Sequence, residues 1–185
     1  MTFVRAGAAR NIKNVMENNY MNIIEEFKKV RDIPYRIPLS LEESDECCTG
    51  KANRLFKIFK DGGYNARYRL CTFRWSSLNL PKELQDIPHN DDSSHTYLEV
   101  EIDKEWKIID ATWDKGLKDL FVVNEWDGKS DTEIAVSCIE RLSPERSLRY
   151  IKHISTSEAI ISDLKINGDF YKAFNEWLEN YRKSR

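Results

Sequence analysis

Apolar residues between positions 11 and 31 fall at Ile12, Val15, Met16, Tyr20, Ile23, Ile24, Phe27 and Val30. This spacing is close to i, i+3, i+4, i+7 and predicts an amphipathic helix. Pro34 and Pro38 end it and predict an extended connector. A second stripe, Cys48, Ala52, Leu55, Phe56 and Phe59, predicts a helix over 48–60. Ser44-Asp45-Glu46 lead into that helix and Gly62-Gly63 stop it. YNARYRLCTFRW, residues 64–75, is rich in β-formers and reads as a strand. Residues 76–94 are polar and carry Pro81 and Pro88, which predicts a long loop of the kind that often serves function. HTYLEVEI (95–102) and EWKIIDA (105–111) read as two strands joined at Asp103-Lys104. Phe121-Val122-Val123 reads as a further short strand, and 124–132 is rich in turn residues. Helical patterns follow Pro144, clearest over 170–183, where Tyr171, Phe174, Trp177, Leu178 and Tyr181 form a stripe that reads as a core face. The order of helices, strands and helices predicts an α+β fold built on an antiparallel sheet. No repeat or linker divides the chain. It reads as one domain over 1–185, with its core at about 45–115 and helical flanks at 10–31 and 145–183.

The hairpin carries the first candidate chemistry. With Asp103-Lys104 as a two-residue turn, Ile102 pairs with Glu105 and Tyr97 with Asp110. His95, Tyr97, Trp106, Ile108 and Asp110 then share one face, because side chains alternate along a strand. Asp110 lies diagonal to His95, within side-chain reach. A one-residue slip would send Asp110 to the opposite face. Asp-Gly would make a stronger turn than Asp-Lys. A carboxylate beside an imidazole fixes its tautomer and favours its charged form, which suits a general base near a nucleophile. On His95 and Asp110 alone, a buried structural hydrogen bond is the favoured reading.

The helix at 48–60 carries the second. Cys48 lies on the apolar stripe and Cys47 does not, so Cys48 opens the buried face at the helix N-terminus. The dipole and free N–H groups there favour thiolate over thiol, against a free pKa of about 8.5. Asp45 and Glu46 oppose that effect. Free cysteine is also a common small core residue, which is how Cys71 and Cys138 read. A zinc site from Cys47, Cys48, Cys71 and His95 lacks the spacing of a metal knuckle.

Composition narrows the class. The chain is 41% hydrophobic with five Trp, eight Tyr and eight Phe, which excludes a disordered chain. The formal net charge is -2 with no basic block, so nucleic-acid binding has no electrostatic footprint. No apolar run approaches a membrane span, and MTFVRAGAARNIKN lacks the apolar core of a secretory signal. Four cysteines make no dense disulfide framework, so the expectation is reduced thiols in a cytoplasmic protein.

Taken in order, Cys48-Thr-Gly-Lys-Ala52 with Leu55-Phe56, Gly63-Tyr-Asn-Ala-Arg67-Tyr, His95-Thr-Tyr-Leu-Glu-Val and Trp106-Lys-Ile-Ile-Asp110-Ala-Thr resemble the transglutaminase-like core of the papain-like cysteine-enzyme superfamily. The match covers roughly 45–115. Glu46 stands where many members have a small residue, and Tyr97 fills an aromatic position after the histidine. The resemblance implies a nucleophile helix packed on the sheet that bears the other two residues of a triad. Cys48 would be the nucleophile, His95 the general base and acid, and Asp110 the residue orienting the imidazole. It implies acyl transfer from a peptide or protein amide, with no metal or organic cofactor needed. The other expectation is a catalytically silent scaffold or protein-binding module that keeps the fold.

Overall fold

The computed structural model describes residues 23–185. The predicted helix over 11–31 therefore lies partly outside the described residues. Its described part, α1, runs over 23–31 and buries Ile23, Phe27 and Val30. The extended connector follows, and an isolated bridge between Arg36 and Glu46 carries the chain back to the start of α2. Helix α2 spans Cys48–Asp61 with Cys47 at its N-cap, and Gly62 caps its C-terminus. Gly63 then takes φ +81, a left-handed turn that glycine adopts without steric cost.

Four strands form one sheet in the order β3-β2-β1-β4: β1 (Ala66–Arg74), β2 (Asp92–Ile102), β3 (Glu105–Ile109) and β4 (Glu140–Arg141). All its ladders are antiparallel. The hairpin register is the predicted one: Ile102 opposes Glu105 and Leu98 opposes Ile109. Asp103 and Lys104 both have positive φ, 51 and 70, as a two-residue I′-type turn demands.

Several sequence expectations need correcting. His95 does not open its strand. β2 begins at Asp92, because Arg74, Phe73 and Thr72 of β1 continue the ladder to Asp92, Ser93 and Ser94. The stretch from 76 to 94 is less irregular than expected, with a 3-10 turn at Trp75–Ser77 and the short helix α3 at Lys82–Gln85. Phe121-Val122-Val123 is not a strand. Phe121 instead stacks on Trp113 with ring centroids 4.1 Å apart, so this segment packs through its side chain rather than through a backbone ladder. The edge strand β4 was not anticipated; two residues carry too short a pattern to read.

The two sheet faces bury different partners. Leu98, Val100, Ile102 and Ile109 meet Ala52, Leu55 and Phe59 of α2, together with the apolar face of α1 and Trp126. On the other face, Cys71, Phe73 and Tyr97 join Trp75, Trp113 and a long C-terminal helix. That helix, α5, spans Ser157–Lys183 and buries Phe170, Tyr171, Phe174 and Leu178, so its aromatic stripe is a core face as expected. Helix α4 (Pro144–Ile154) starts at a Ser143 cap and sets Ile151 against Leu70 of β1. Among the described residues the fold is mixed α and β around an antiparallel sheet. No helix among them is long and apolar enough to cross a membrane.

Candidate active site

The β2–β3 ladder ends at Leu98–Ile109, so Asp110 lies just beyond it and needs other anchors. The turn-rich segment supplies them. The Asp110 N–H donates to Thr132 Oγ1 at 2.8 Å, and its carbonyl accepts from Asn124 Nδ2 at 2.9 Å. Its carboxylate is fully engaged. Oδ2 accepts from His95 Nε2 at 2.7 Å and from the Ala135 N–H at 2.9 Å, while Oδ1 accepts from the Thr112 N–H at 3.0 Å. Both His95 and Asp110 are 2% exposed. The predicted diagonal pair is therefore made, and through Nε2. That leaves Nδ1 as the ring nitrogen free to serve Cys48.

Cys48 opens α2 on the rim of the same place. It is half-buried, and with His95, Tyr35, Thr112, Trp113 and Val136 it lines a cavity of about 30 Å³. Thr49 ties this end of the helix to β2 through a 3.1 Å hydrogen bond from its hydroxyl to that of Thr96. The start of α2 is packed tightly against the preceding turn: a Cβ on Gly50 would fall 1.9 Å from the Asp45 carbonyl oxygen. Each carboxylate of the acidic pair has one oxygen engaged, while Glu46 Oε2 is buried without a partner among the described residues. Asp45 Oδ1 accepts from the Cys47 N–H at 2.9 Å, and Glu46 pairs with Arg54 at 2.8 Å.

The electrostatics of the three groups are mutually consistent. Burial pushes the His95 imidazole down, but Asp110 and then Cys48 outweigh it and raise its pKa to about 10. Burial pushes the Asp110 carboxyl up, but His95 and the hydrogen bonds from Thr112 and Ala135 hold it below the usual carboxylate range. The Cys48 thiol is drawn well below its ordinary value. Its neighbour Cys47 has the largest influence, burial opposes it, and His95 and the Thr96 backbone add to the lowering. Cys47 moves the opposite way, held protonated by Cys48 and by burial. Both shifts run toward a Cys48 thiolate beside a His95 imidazolium.

Other residues that hold this arrangement gave little sign of themselves in the sequence. Lys51 is 1% exposed, and its ammonium donates to the carbonyls of Arg31 and Thr112 at 2.9 and 2.8 Å. It thereby ties α2 to α1 and to the chain just after Asp110. Burial lowers its pKa to about 8, against the attraction of Asp114. A lysine three residues after Cys48, on the apolar side of the helix, was the one available signal. Asn124 also donates to the Glu133 carbonyl at 2.8 Å and accepts from its N–H at 3.1 Å, so it staples 124–133 around Asp110. Trp113 lines the cavity, with its indole N–H committed to the Ala135 carbonyl at 2.9 Å. Asp114 is not part of that lining and pairs with Arg182 at 2.6 Å.

Trp75 lines both this cavity and a larger open cleft of about 300 Å³, where Gln85, Asp86, His89 and Asp91 come from the segment after β1. Cys71 is fully buried and Cys138 partly so. Among the described residues no group of three or more His, Cys, Asp or Glu side chains converges in a way that could hold a metal ion. Comparison with protein-family models, with curated proteins and with solved structures finds no match to this chain.

Proposed function

We propose that this chain is a cysteine-dependent acyl-transfer enzyme of papain-like, transglutaminase-like design, acting on peptide or protein amides. Cys48 is the nucleophile, His95 the acid and base, and Asp110 the positioning residue. The observation that carries the reading is a fully buried imidazole, held through Nε2 by a fully buried carboxylate at 2.7 Å, in one cavity with a cysteine at a helix N-terminus. A structural hydrogen bond alone gives no reason for the thiol to share that cavity.

The scheme runs on side chains alone. The Cys48 thiolate attacks a carbonyl carbon, forming the C–S bond as the carbonyl π pair moves onto oxygen. Collapse of this intermediate breaks the C–N bond, and the leaving amine takes the His95 proton. The now neutral imidazole removes a proton from water or from an acceptor amine. Attack on the thioester by that species releases the acid or a new amide and restores the thiolate. Asp110 stabilises the imidazolium and keeps its Nε2 turned inward. Water and amine acceptors use the same triad, so access to the thioester decides between hydrolysis and cross-linking. The 300 Å³ cleft beyond Trp75 is the natural approach for a substrate chain.

One observation favours the rival reading of a silent scaffold. The cavity beside Cys48 holds little more than a water molecule, so a substrate must displace its wall. Intact-mass analysis after incubation with p-nitrophenyl acetate separates the two. The enzyme reading expects one hydroxylamine-labile acetyl group on Cys48 and none in His95→Ala. An unmodified Cys48 at ester concentrations that acetylate free cysteine favours the scaffold.

A further inference from the structure

Acyl transfer through a tetrahedral intermediate needs a donor for the oxygen that becomes negative, and a preorganised donor there is among the largest single contributions to catalysis. Tyr35 meets this need. Its backbone is held at both ends: the N–H donates to Asp114 Oδ2 at 2.9 Å, and the carbonyl accepts from Arg182 Nη2 at 3.1 Å. Its ring packs against Trp113 and edge-on against Phe174, with centroids 4.7 and 6.3 Å away. The residue is only 5% exposed, and its hydroxyl is not among the enclosed polar atoms left without a partner, which among the described residues are Glu46 Oε2 and Tyr97 Oη. Tyr35 lies on the wall of the cavity that Cys48 and His95 share. Burial, followed by the sulfurs of Cys47 and Cys48, keeps the phenol far above its ordinary pKa, so it stays a proton donor throughout the working range. Trp113, on the same wall, has already committed its indole N–H to Ala135.

We propose that the Tyr35 hydroxyl is the side-chain oxyanion donor of this site, donating its hydrogen bond to the carbonyl oxygen of a bound acyl substrate. The proposal rests on the acyl-transfer reading above. In the step it serves, the Cys48 sulfur bonds to the carbonyl carbon, the carbonyl π pair goes to oxygen, and Tyr35 Oη–H donates to that oxygen without transferring its proton. Collapse returns the pair and expels the leaving group, which for a nitrophenyl ester departs as nitrophenolate.

Two reagents separate this proposal from the reading beneath it. Iodoacetamide alkylates a thiolate by direct displacement at a saturated carbon, so no oxyanion forms. p-Nitrophenyl acetate acylates through one. For Tyr35→Phe the expected result is acylation of Cys48 slowed by roughly 10²-fold, the scale of losing one oxyanion donor, with the alkylation rate and its pH profile unchanged. Equal slowing with both reagents would mean that Tyr35 acts on the thiolate, and would overturn the proposal. So would unchanged acylation, or a loss confined to Trp75→Phe, which removes the other indole N–H on the wall. A wild-type Cys48 that alkylates readily but is acylated no faster than free cysteine overturns it as well, while leaving the Cys-His pair standing. A Cys48 inert to both reagents removes the acyl-transfer reading itself. Should Tyr35→Phe not fold, 3-fluorotyrosine at position 35 keeps the ring and hydroxyl and alters the donor's acidity. The acylation rate then shifts while alkylation does not; no shift in acylation overturns the proposal.

Discussion

Replacing Asp110 with asparagine leaves the side-chain shape almost intact and removes one charge. In the native site the carboxylate accepts three hydrogen bonds, from His95, Ala135 and Thr112, at 2.7, 2.9 and 3.0 Å. An amide has one oxygen and one NH₂. If the oxygen faces Thr112, the NH₂ meets the Ala135 N–H donor to donor and forces His95 Nε2 to accept. If it faces Ala135 and His95, the Thr112 N–H is stranded. Either way one buried N–H loses its partner, at a cost of about 1–3 kcal/mol. The imidazolium also loses the charge that held it, although the ring escapes most of that penalty by releasing its proton. We expect Asp110→Asn to destabilise the protein by roughly 2–4 kcal/mol. Without its cation, the Cys48 thiol should titrate nearer the free value of about 8.5. Urea unfolding measures the first effect, and the pH profile of Cys48 alkylation measures the second. A destabilisation below about 0.5 kcal/mol, within the range of an ordinary surface substitution, with an unmoved alkylation profile, would refute the reasoning.

Three further outcomes follow from the same geometry. Lys104 sits at φ 70 in the hairpin turn, so Lys104→Gly should stabilise the fold by about 0.5–1 kcal/mol, read from the urea midpoint. Loss of stability there would contradict the turn. Gly50→Ala puts a methyl group into the Asp45 carbonyl; it should cost roughly 1–3 kcal/mol or more and displace the start of α2, seen as slowed Cys48 alkylation. Wild-type stability at every pH would contradict that packing. The last concerns pH. His95 is raised to about 10 from 6.5 while Cys48 is lowered from about 9, so the two shifts change stability with pH in opposite senses. The pair therefore adds less slope than the histidine would alone. In Cys48→Ala the raised histidine acts alone: its contribution is full below pH 6.5 and is lost as pH rises toward its folded pKa. The urea midpoint of the variant should fall against wild type across that window, and parallel curves would contradict the coupling.

Two local rules made part of the candidate site's geometry legible. The phase of the 48–60 stripe put Cys48, not Cys47, at the start of the buried face; both are in fact half-buried, and Cys47 at the N-cap packs against the core. The two-residue turn at Asp103-Lys104 put Asp110 and His95 on one sheet face, and the strand pairing agrees. Such rules depend only on period and parity. What they missed depends on contacts distant in sequence. Asp110 lies past the last ladder pair, and Asn124, Thr132 and Ala135 hold it from a segment whose composition says only that it turns. The early start of β2 at Asp92 was hidden by the polar run Asp92-Ser93-Ser94, whose pairing is dictated by β1 rather than by its own propensity. Phe121-Val122-Val123 has strand composition, but Phe121 found a stacking partner in Trp113 instead. Tyr35 looked like connector until Asp114 and Arg182 fixed its backbone from 79 and 147 residues away.

The central claim is an ion pair between Cys48 and His95, and one titration tests it most directly. The rate of iodoacetamide alkylation at Cys48, read by peptide mass spectrometry, is followed from pH 4 to 10 in wild type and in His95→Ala. The account predicts that wild-type Cys48 reaches its plateau well below the ordinary thiol range, and well below Cys47 and Cys71, whose thiols are pushed up by burial and by their neighbours. In His95→Ala that advantage shrinks, with the inflection displaced to higher pH. A wild-type Cys48 that titrates like a free thiol, with the same profile in the variant, would contradict the account and leave a domain that holds a histidine and a carboxylate together for structure alone.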